Sequence, residues 1–289
     1  SRTGNCKIDF ITLKLRKMRK IFFILLAVIY TTSFAQDSIN LKIYRENIGK
    51  SYYLYADNEE FAPVSLEYSF TSENMSSSLA DKSLLVIPAG KKKHQITELK
   101  AVDPNMGTKF NYDVYFVLGD VNTTAVKHDF VYSLPFDKNK KHIIYQGYNG
   151  LFSHHKAFSL DFSLKDGDKV NAARGGKVVS VITGNSKNCQ TKECAKYNNR
   201  IVILHDDGTL AEYVHLRYSG SVVKPGEDVA TGQLIGYSGN TGWSKGPHLH
   251  FSVYINNIDG TRTYLKTKFK VAESKTPVYL SEKHSYTNL

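Results

Sequence analysis

The sequence contains few cysteines and prolines, fewer acidic than basic residues, and no long apolar run. Its 289 residues include 3 Cys and 7 Pro, and 27 Asp or Glu stand against 38 Lys or Arg. No apolar stretch reaches the roughly 18 residues that a membrane helix needs, and collagen and coiled-coil patterns are absent. With 41% hydrophobic and 22% charged residues, the composition is typical of a globular protein with room for two modest domains.

The formal net charge of +11 is concentrated at the amino-terminal end. Residues 1–35 carry seven Lys or Arg and one acidic residue, and the remainder has 31 basic and 26 acidic side chains, a net charge of +5. This remaining excess is too small to indicate a nucleic-acid partner.

Residues 1–35 have the features of a secretory leader. Met18-Arg19-Lys20 precedes an apolar run over residues 21–30, and small residues then lead to a predicted cleavage site after Ala35. Residues 1–17 are interpreted as upstream sequence. Because no cysteine stands directly after the apolar run, where a lipid would be attached, we expect an exported, soluble chain in the periplasm or outside the cell, without a lipid anchor or a membrane span.

Two cysteines remain beyond the leader. Cys189 and Cys194 lie five positions apart in a polar segment, whereas Cys6 belongs to the leader. An even pair in an exported protein favours a small loop-closing disulfide. A zinc site built on these two cysteines is the weaker interpretation, since no second Cys or His pair lies near them in sequence.

Short runs of alternating polarity, separated by polar turns, predict an all-β protein. In residues 36–133 they indicate an antiparallel β-sandwich without assignable chemistry. Residues 134–272 form the second predicted domain, which is richer in Gly and His, and residues 273–289 a closing tail strand. In the second domain, strands are expected around residues 176–182, 200–204, 210–215, 228–229, 234–235 and 248–254.

The histidines of the second domain are expected to meet in one groove. Side chains alternate along a strand, so His248 and His250 share one face, and Tyr213 and His215 are expected to share another. Asp161, flanked by apolar neighbours, supplies a carboxylate that is costly to bury without a cation. A lone His-x-His or strand Asp more often has a structural role; their combination predicts a metal site.

These residues lie in a segment that resembles the lysostaphin-type, or LytM-like, zinc metallopeptidases. The resemblance runs from about residue 145 to 254, through FSHHKAFSLDF, NRIVILHDDGTLAEYVHL and VVKPGEDVATGQLIGYSGNTGWSKGPHLHF. It implies a two-sheet β-domain of the duplicated hybrid motif type with a central groove. It also implies cleavage of peptide cross-links in bacterial peptidoglycan, which would be the partner.

The resemblance assigns roles to individual residues. Asp161 and His250 correspond to zinc ligands, and His215 and His248 to the catalytic pair. The remaining ligand is ambiguous, since position 157, where a short spacing would place it, is Ala. Family members with a longer spacer point to His154, and the neighbouring His155 is the alternative.

Zinc chemistry gives these residues a mechanism. Two imidazoles and one carboxylate leave a tetrahedral position open for water, and zinc-bound water ionises near pH ~7 and can act as the nucleophile. His215 and His248 are expected to orient that water, move its proton and stabilise the oxyanion. Trp243 and Tyr237 are candidate groove walls, although ordinary loop packing explains them equally well.

Three other functions remain open from the sequence. An inactive family member could bind the cell wall or activate another wall hydrolase, and a secreted protease could act on Gly-rich proteins instead. The VVKPGEDVATGQLIGYSG segment also resembles the hairpin of biotinyl or lipoyl carriers, but it lacks a convincing lysine at the exposed turn.

Overall fold

The computed structural model describes residues 39–289 together with the backbone of residues 4–7. The other residues of the predicted leader lie outside the described residues, so the leader stays a prediction. Residues 4–7 form a strand that pairs with residues 113–116. In the described part of the chain, the helical structure is one 3-10 helix, Lys192–Tyr197, and no helix there has the length and apolarity to span a membrane.

The amino-terminal half consists of two four-stranded sheets. Its strands are β1 (Gly4–Lys7), β2 (Leu41–Ile48), β3 (Ser51–Asn58), β4 (Val64–Glu73), β5 (Met75–Ser77), β6 (Ser83–Ile87), β7 (His94–Ala101) and β8 (Lys109–Leu118). One sheet has the order β1-β8-β4-β6 and the other β2-β3-β7-β5. Apolar side chains from both sheets, among them Leu54, Leu66 and Leu99, form one buried cluster, which removes the apolar face of each sheet from water.

The carboxy-terminal half continues with short strands. They are β9 (Val131–Tyr132), β10 (Lys141–Gln146), β11 (Ser159–Phe162), β12 (Lys169–Asn171), β13 (Gly176–Ile182), β14 (Asn188–Cys189), β15 (Arg200–Leu204), β16 (Leu210–Val214), β17 (Leu216–Ser221), β18 (Asp228–Val229), β19 (Leu234–Ser238), β20 (Gly242–Trp243), β21 (Leu249–Asn256), β22 (Arg262–Leu265), β23 (Lys268–Phe269), β24 (Val278–Tyr279) and β25 (Ser285–Thr287). The prediction of an all-β protein is confirmed.

A nine-stranded sheet dominates this half. Its order is β18-β13-β15-β16-β21-β11-β10-β25, with β22 paired to β21. One face packs against the small β12-β19-β17 sheet around a core that includes Ile203, Tyr213 and Phe251 of the large sheet and Ile235 of the small one. Because side chains alternate along each strand, Asp161, His250 and Glu212 lie on the opposite face.

The amino-terminal sheets cover one end of that opposite face. Val202, Leu210 and Tyr254 of the large sheet join a buried cluster with Val64 and Leu118. The amide of Asn256 also donates to the Leu118 carbonyl, at 2.8 Å. The face is therefore apolar and covered at one end, and polar where Asp161 and His250 lie.

Candidate metal centre

Asp161 and His250 are brought together by strand pairing. They are direct partners in the antiparallel ladder of β11 and β21, and their side chains point to the same face. Asp161 Oδ1 lies 2.9 Å from His250 Nδ1. Two residues that are 89 positions apart in sequence are thus held together by two adjacent strands in the interior of the sheet.

His154 completes the cluster from a loop. Its Nε2 lies 3.2 Å from Asp161 Oδ1 and 3.2 Å from His250 Nδ1. Its Nδ1 donates to the carbonyl of Gly147 at 2.9 Å, because a carbonyl can only accept. In the neutral ring this leaves a lone pair on Nε2, the atom that faces the other two residues. His154 is completely buried, whereas His155 is exposed.

The three side chains could hold a metal ion. One ligand atom from each of His154, Asp161 and His250 lies within 4.8 Å of the other two. A tetrahedral zinc ion with bonds of about 2.0–2.1 Å separates its ligand atoms by about 3.3 Å, close to the distances in this cluster. Two imidazole nitrogens and a carboxylate oxygen are also a donor set that zinc accepts. The residues therefore fit the ion.

The electrostatics of the cluster favour a cation. Burial alone would raise the pKa of Asp161, but the hydrogen bonds and charges of His154 and His250 outweigh burial and hold that pKa well below its usual range. For His250, burial lowers the pKa, but the hydrogen bond and charge of Asp161 leave it raised overall. Asp161 thus stays negative at neutral pH in a nearly water-free position.

His215 and His248 lie beside this cluster. Their ring centroids are 4.5 Å apart, and the His215 ring is 6.1 Å from that of His250. His248 Nε2 is 3.7 Å from Asp161 Oδ1. All five residues assigned from the sequence, including His154, therefore meet at one place.

Both of these histidines are oriented by backbone carbonyls. His215 Nδ1 donates to the Thr241 carbonyl at 2.7 Å, and His248 Nδ1 to the Gly246 carbonyl at 2.9 Å. Each neutral ring is left with Nε2 as the nitrogen that can accept a proton. Burial, followed by the charges of His248 and His250, lowers the pKa of His215 to about 3, so this ring is neutral at pH 7.

The expected alternation of side chains was wrong at one position. Tyr213 does not share a face with His215; it is buried in the main core, and its hydroxyl accepts a hydrogen bond from the Ala173 amide. His215 lies between β16 and β17 with a φ of +66°, a left-handed conformation that interrupts the strand. This reversal brings the His215 ring beside His248.

The other sequence expectations have mixed outcomes. Cys189 and Cys194 form the predicted disulfide. Trp243 packs on Phe152, with ring centroids 5.7 Å apart, and Tyr237 packs against Arg217. The carbonyls of Gly147, Thr241 and Gly246 were missed, because any residue type supplies a carbonyl and the sequence carries no signal for them.

Comparisons with known proteins cover the same part of the chain. Residues 154–261 match the model of peptidase family M23. Lysostaphin of Staphylococcus simulans is 34% identical over 106 residues, which cover 36% of this chain and 19% of lysostaphin. Peptidoglycan DD-endopeptidase ShyA of Vibrio cholerae is 36% identical over 95 residues, covering 33% of this chain and 19% of ShyA.

A metalloprotease of Haemophilus influenzae is 36% identical over 124 residues, covering 43% of this chain and 22% of the relative. The match thus spans about a fifth of each of these relatives. Among solved structures, the catalytic domain of Staphylococcus simulans lysostaphin is 29% identical, covers 44% of this chain and 88% of that chain, and has a TM-score of 0.32. On the family match, residues 154–261 form a peptidase family M23 domain.

Proposed function

We propose that this chain is a zinc metalloendopeptidase that hydrolyses peptide bonds in peptidoglycan cross-links. The observation that supports it most is the convergence of His154, Asp161 and His250 on one point, with two further imidazoles alongside. The relatives named above as lysostaphin and peptidoglycan DD-endopeptidase support the choice of substrate.

His154, Asp161 and His250 would hold the zinc ion. Bound there, zinc supplies a Lewis acid and lowers the pKa of water, which is the chemistry that peptide hydrolysis needs. Asp161 contributes the negative charge, and the Gly147 carbonyl keeps the lone pair of His154 directed at the cluster.

His215 and His248 are proposed to handle the proton. Their Nδ1 atoms are occupied by the Thr241 and Gly246 carbonyls, so each Nε2 is free to accept a proton from the attacking water and to pass it to the leaving amine. Once protonated, an imidazole also donates to the oxyanion that forms at the scissile carbonyl. The low pKa of His215 keeps it in the accepting form at pH 7.

We further propose that residues 1–35 direct export and that residues 36–133 form a domain separate from the peptidase domain of residues 134–272, with residues 273–289 closing it. The amino-terminal part would limit the groove at the end covered by Val64 and Leu118. Deleting it should change activity or wall binding; unchanged values of both would contradict this role.

The full chain incubated with purified peptidoglycan tests the proposed function. We expect released fragments with newly cut peptide cross-links, loss of this release with a chelator, and its return with zinc. An inactive protein that holds about one zinc ion would contradict catalysis and favour an inactive wall-binding relative. An inactive protein without zinc would contradict the metal site as well.

A further inference from the structure

The turn from Thr241 to Gly246 orients both histidines beside the candidate metal centre. Thr241 provides the carbonyl for His215, and Gly246 provides the carbonyl for His248. Ser244 Oγ lies 3.3 Å from His248 Nδ1 and 2.8 Å from the Gly246 carbonyl oxygen. The positions of the two rings therefore depend on the conformation of this short turn.

The turn is attached to the loop that the Cys189–Cys194 disulfide closes. The Ser244 amide donates to the Cys189 carbonyl at 3.1 Å, and the Gly242 amide donates to the Lys187 carbonyl at 2.8 Å. These bonds belong to the short parallel pairing of β14 with β20. Backbone hydrogen bonds thus attach the turn to the start of the disulfide-closed loop and to the residues just before it.

The side chain of Trp243 adds a second attachment. Its Nε1 donates to the Gln190 carbonyl at 3.1 Å, inside the ring closed by the disulfide. Its backbone amide donates to Asn198 Oδ1 at 3.0 Å, directly after the 3-10 helix that contains Cys194. Trp243 therefore connects the turn to the disulfide-closed loop at Gln190 and to Asn198, the residue that follows the 3-10 helix.

His215 needs such support because of its backbone. A non-glycine residue in the left-handed region costs on the order of 1 kcal/mol or more, and persists where the surroundings hold it. Here the hydroxyl of Thr241 donates to the Leu216 carbonyl at 2.7 Å, and its carbonyl accepts from the His215 ring. The turn thus holds both the ring of His215 and the residue that follows it.

The candidate metal ligands are held by other parts of the fold. Asp161 and His250 lie on paired strands of the large sheet, and His154 is held by the Gly147 carbonyl. The hydrogen bonds that orient the three ligands are therefore different from those that orient His215 and His248, and the turn meets the loop of His154 through contacts of Trp243 and Lys245 with Phe152.

We propose that the disulfide-closed loop positions His215 and His248 for the reaction through the turn 241–246, without contributing to metal binding. Cys189, Cys194 and Trp243 are positioning residues in this arrangement. The expected effect on the reaction rate rests on the proposed function. The positioning of the two rings can be measured independently, from the nitrogen resonances of the imidazoles.

The test uses the full chain and three variants. The double variant Cys189→Ser/Cys194→Ser removes the disulfide, and Trp243→Phe removes only the indole donor to Gln190. Lys192→Ala is the matched control, an exposed residue of the same loop. Each protein is examined for bound zinc, for kcat and KM on a peptidoglycan peptide, and for imidazole nitrogen resonances in the metal-free form.

For the double variant we expect kcat to fall about 10- to 100-fold, KM to change by less than about threefold, and zinc content to stay unchanged. For Trp243→Phe we expect a smaller fall in kcat of the same kind. In both variants, the nitrogen resonances of His215 and His248 should no longer show a single tautomer with the proton on Nδ1. The resonances of His154 should still show that single tautomer. Lys192→Ala should match the parent protein.

Unchanged kcat and unchanged imidazole resonances in the double variant would overturn the proposal, and so would loss of zinc in the folded protein. If the double variant does not fold, the kcat and the imidazole resonances of Trp243→Phe test the proposal instead. An inactive parent protein would refute the proposed function, whereas the resonances would still decide whether the loop positions the two rings.

Discussion

Asp161 and His250 are directly opposite each other on neighbouring antiparallel strands, with Oδ1 and Nδ1 2.9 Å apart. Backbone hydrogen bonds of the sheet fix this distance, so the pair needs no loop to form. A ligand pair built into a sheet is preorganised, and preorganisation lowers the cost of binding.

Asp161→Asn should strongly weaken zinc binding while keeping the fold. The amide is nearly isosteric with the carboxylate but carries no negative charge, so we expect zinc affinity to fall at least about 100-fold. Titration with zinc under competition from a chelator measures this. Asp166→Asn, at an exposed position, is the control, and comparable affinities for the two variants would count against Asp161 as a ligand.

His154→Ala and His155→Ala should behave differently although the residues are adjacent. Removing the buried His154 takes one of three ligand atoms from the cluster, so zinc content and activity should both be lost. His155 is exposed, and its substitution should leave both nearly unchanged. Metal analysis of the two purified proteins is decisive, and the reverse result would reassign the ligand.

His215→Ala and His248→Ala should separate metal binding from catalysis. Neither residue belongs to the metal cluster, so each variant is expected to keep its zinc. Loss of a proton acceptor should lower kcat by about 10²- to 10⁴-fold. Steady-state kinetics beside zinc analysis checks this, with the exposed His284→Ala as control. Full activity in either variant would remove that residue from the mechanism.

Stability should fall on acidification because of His205. Burial lowers the pKa of His205 to about 4, and the charge of Arg174 acts in the same direction, against the hydrogen bond to the Gly175 carbonyl. Below pH 6.5 the unfolded chain binds a proton that the folded chain excludes. The free energy of unfolding should thus drop between about pH 6.5 and pH 4, by on the order of 3 kcal/mol, and level off below.

His205→Phe should remove this part of the pH dependence. The substitution keeps an aromatic ring against Tyr132 but no longer titrates. Urea unfolding of both proteins in chelator across this pH range gives the comparison, because the metal-site histidines contribute equally to both. Parallel curves for the two proteins would show that His205 does not titrate in this way.

Glu212 and Arg262 should be strongly coupled in stability. Arg262 Nη1 donates to Glu212 Oε1 at 2.7 Å, and both side chains are largely buried. Glu212→Ala leaves the guanidinium without this carboxylate and should lower the free energy of unfolding by about 3–5 kcal/mol.

The double variant Glu212→Leu/Arg262→Met should recover much of that loss, because no buried charge is left unpaired. Chemical unfolding of the parent, Glu212→Leu, Arg262→Met and the double variant measures the coupling. Additive losses would show that the pair is not coupled.

The local alternation of polar and apolar residues predicted many of the strands of this protein. Alternation correctly placed His248 and His250 on one face, and the turn-separated runs predicted most strands of the large sheet. It failed at His215, since alternation assumes extended backbone and this residue has a positive φ. The pairing of Asp161 with His250 depends on which strands are neighbours in the sheet, and these two strands are distant in sequence. Periodicity does not predict the order of strands. The 3-10 helix was also missed.

The joint between the two halves of the chain has a mechanical consequence. Eight buried apolar or aromatic residues, including Leu118 and Tyr254, would return to water if the halves separated, at a cost on the order of 10 kcal/mol. Thermal motion will rarely open such a joint. The amino-terminal sheets should therefore tumble together with the carboxy-terminal half as one rigid particle, and any molecule that binds at the candidate site would always meet the same fixed wall on that side.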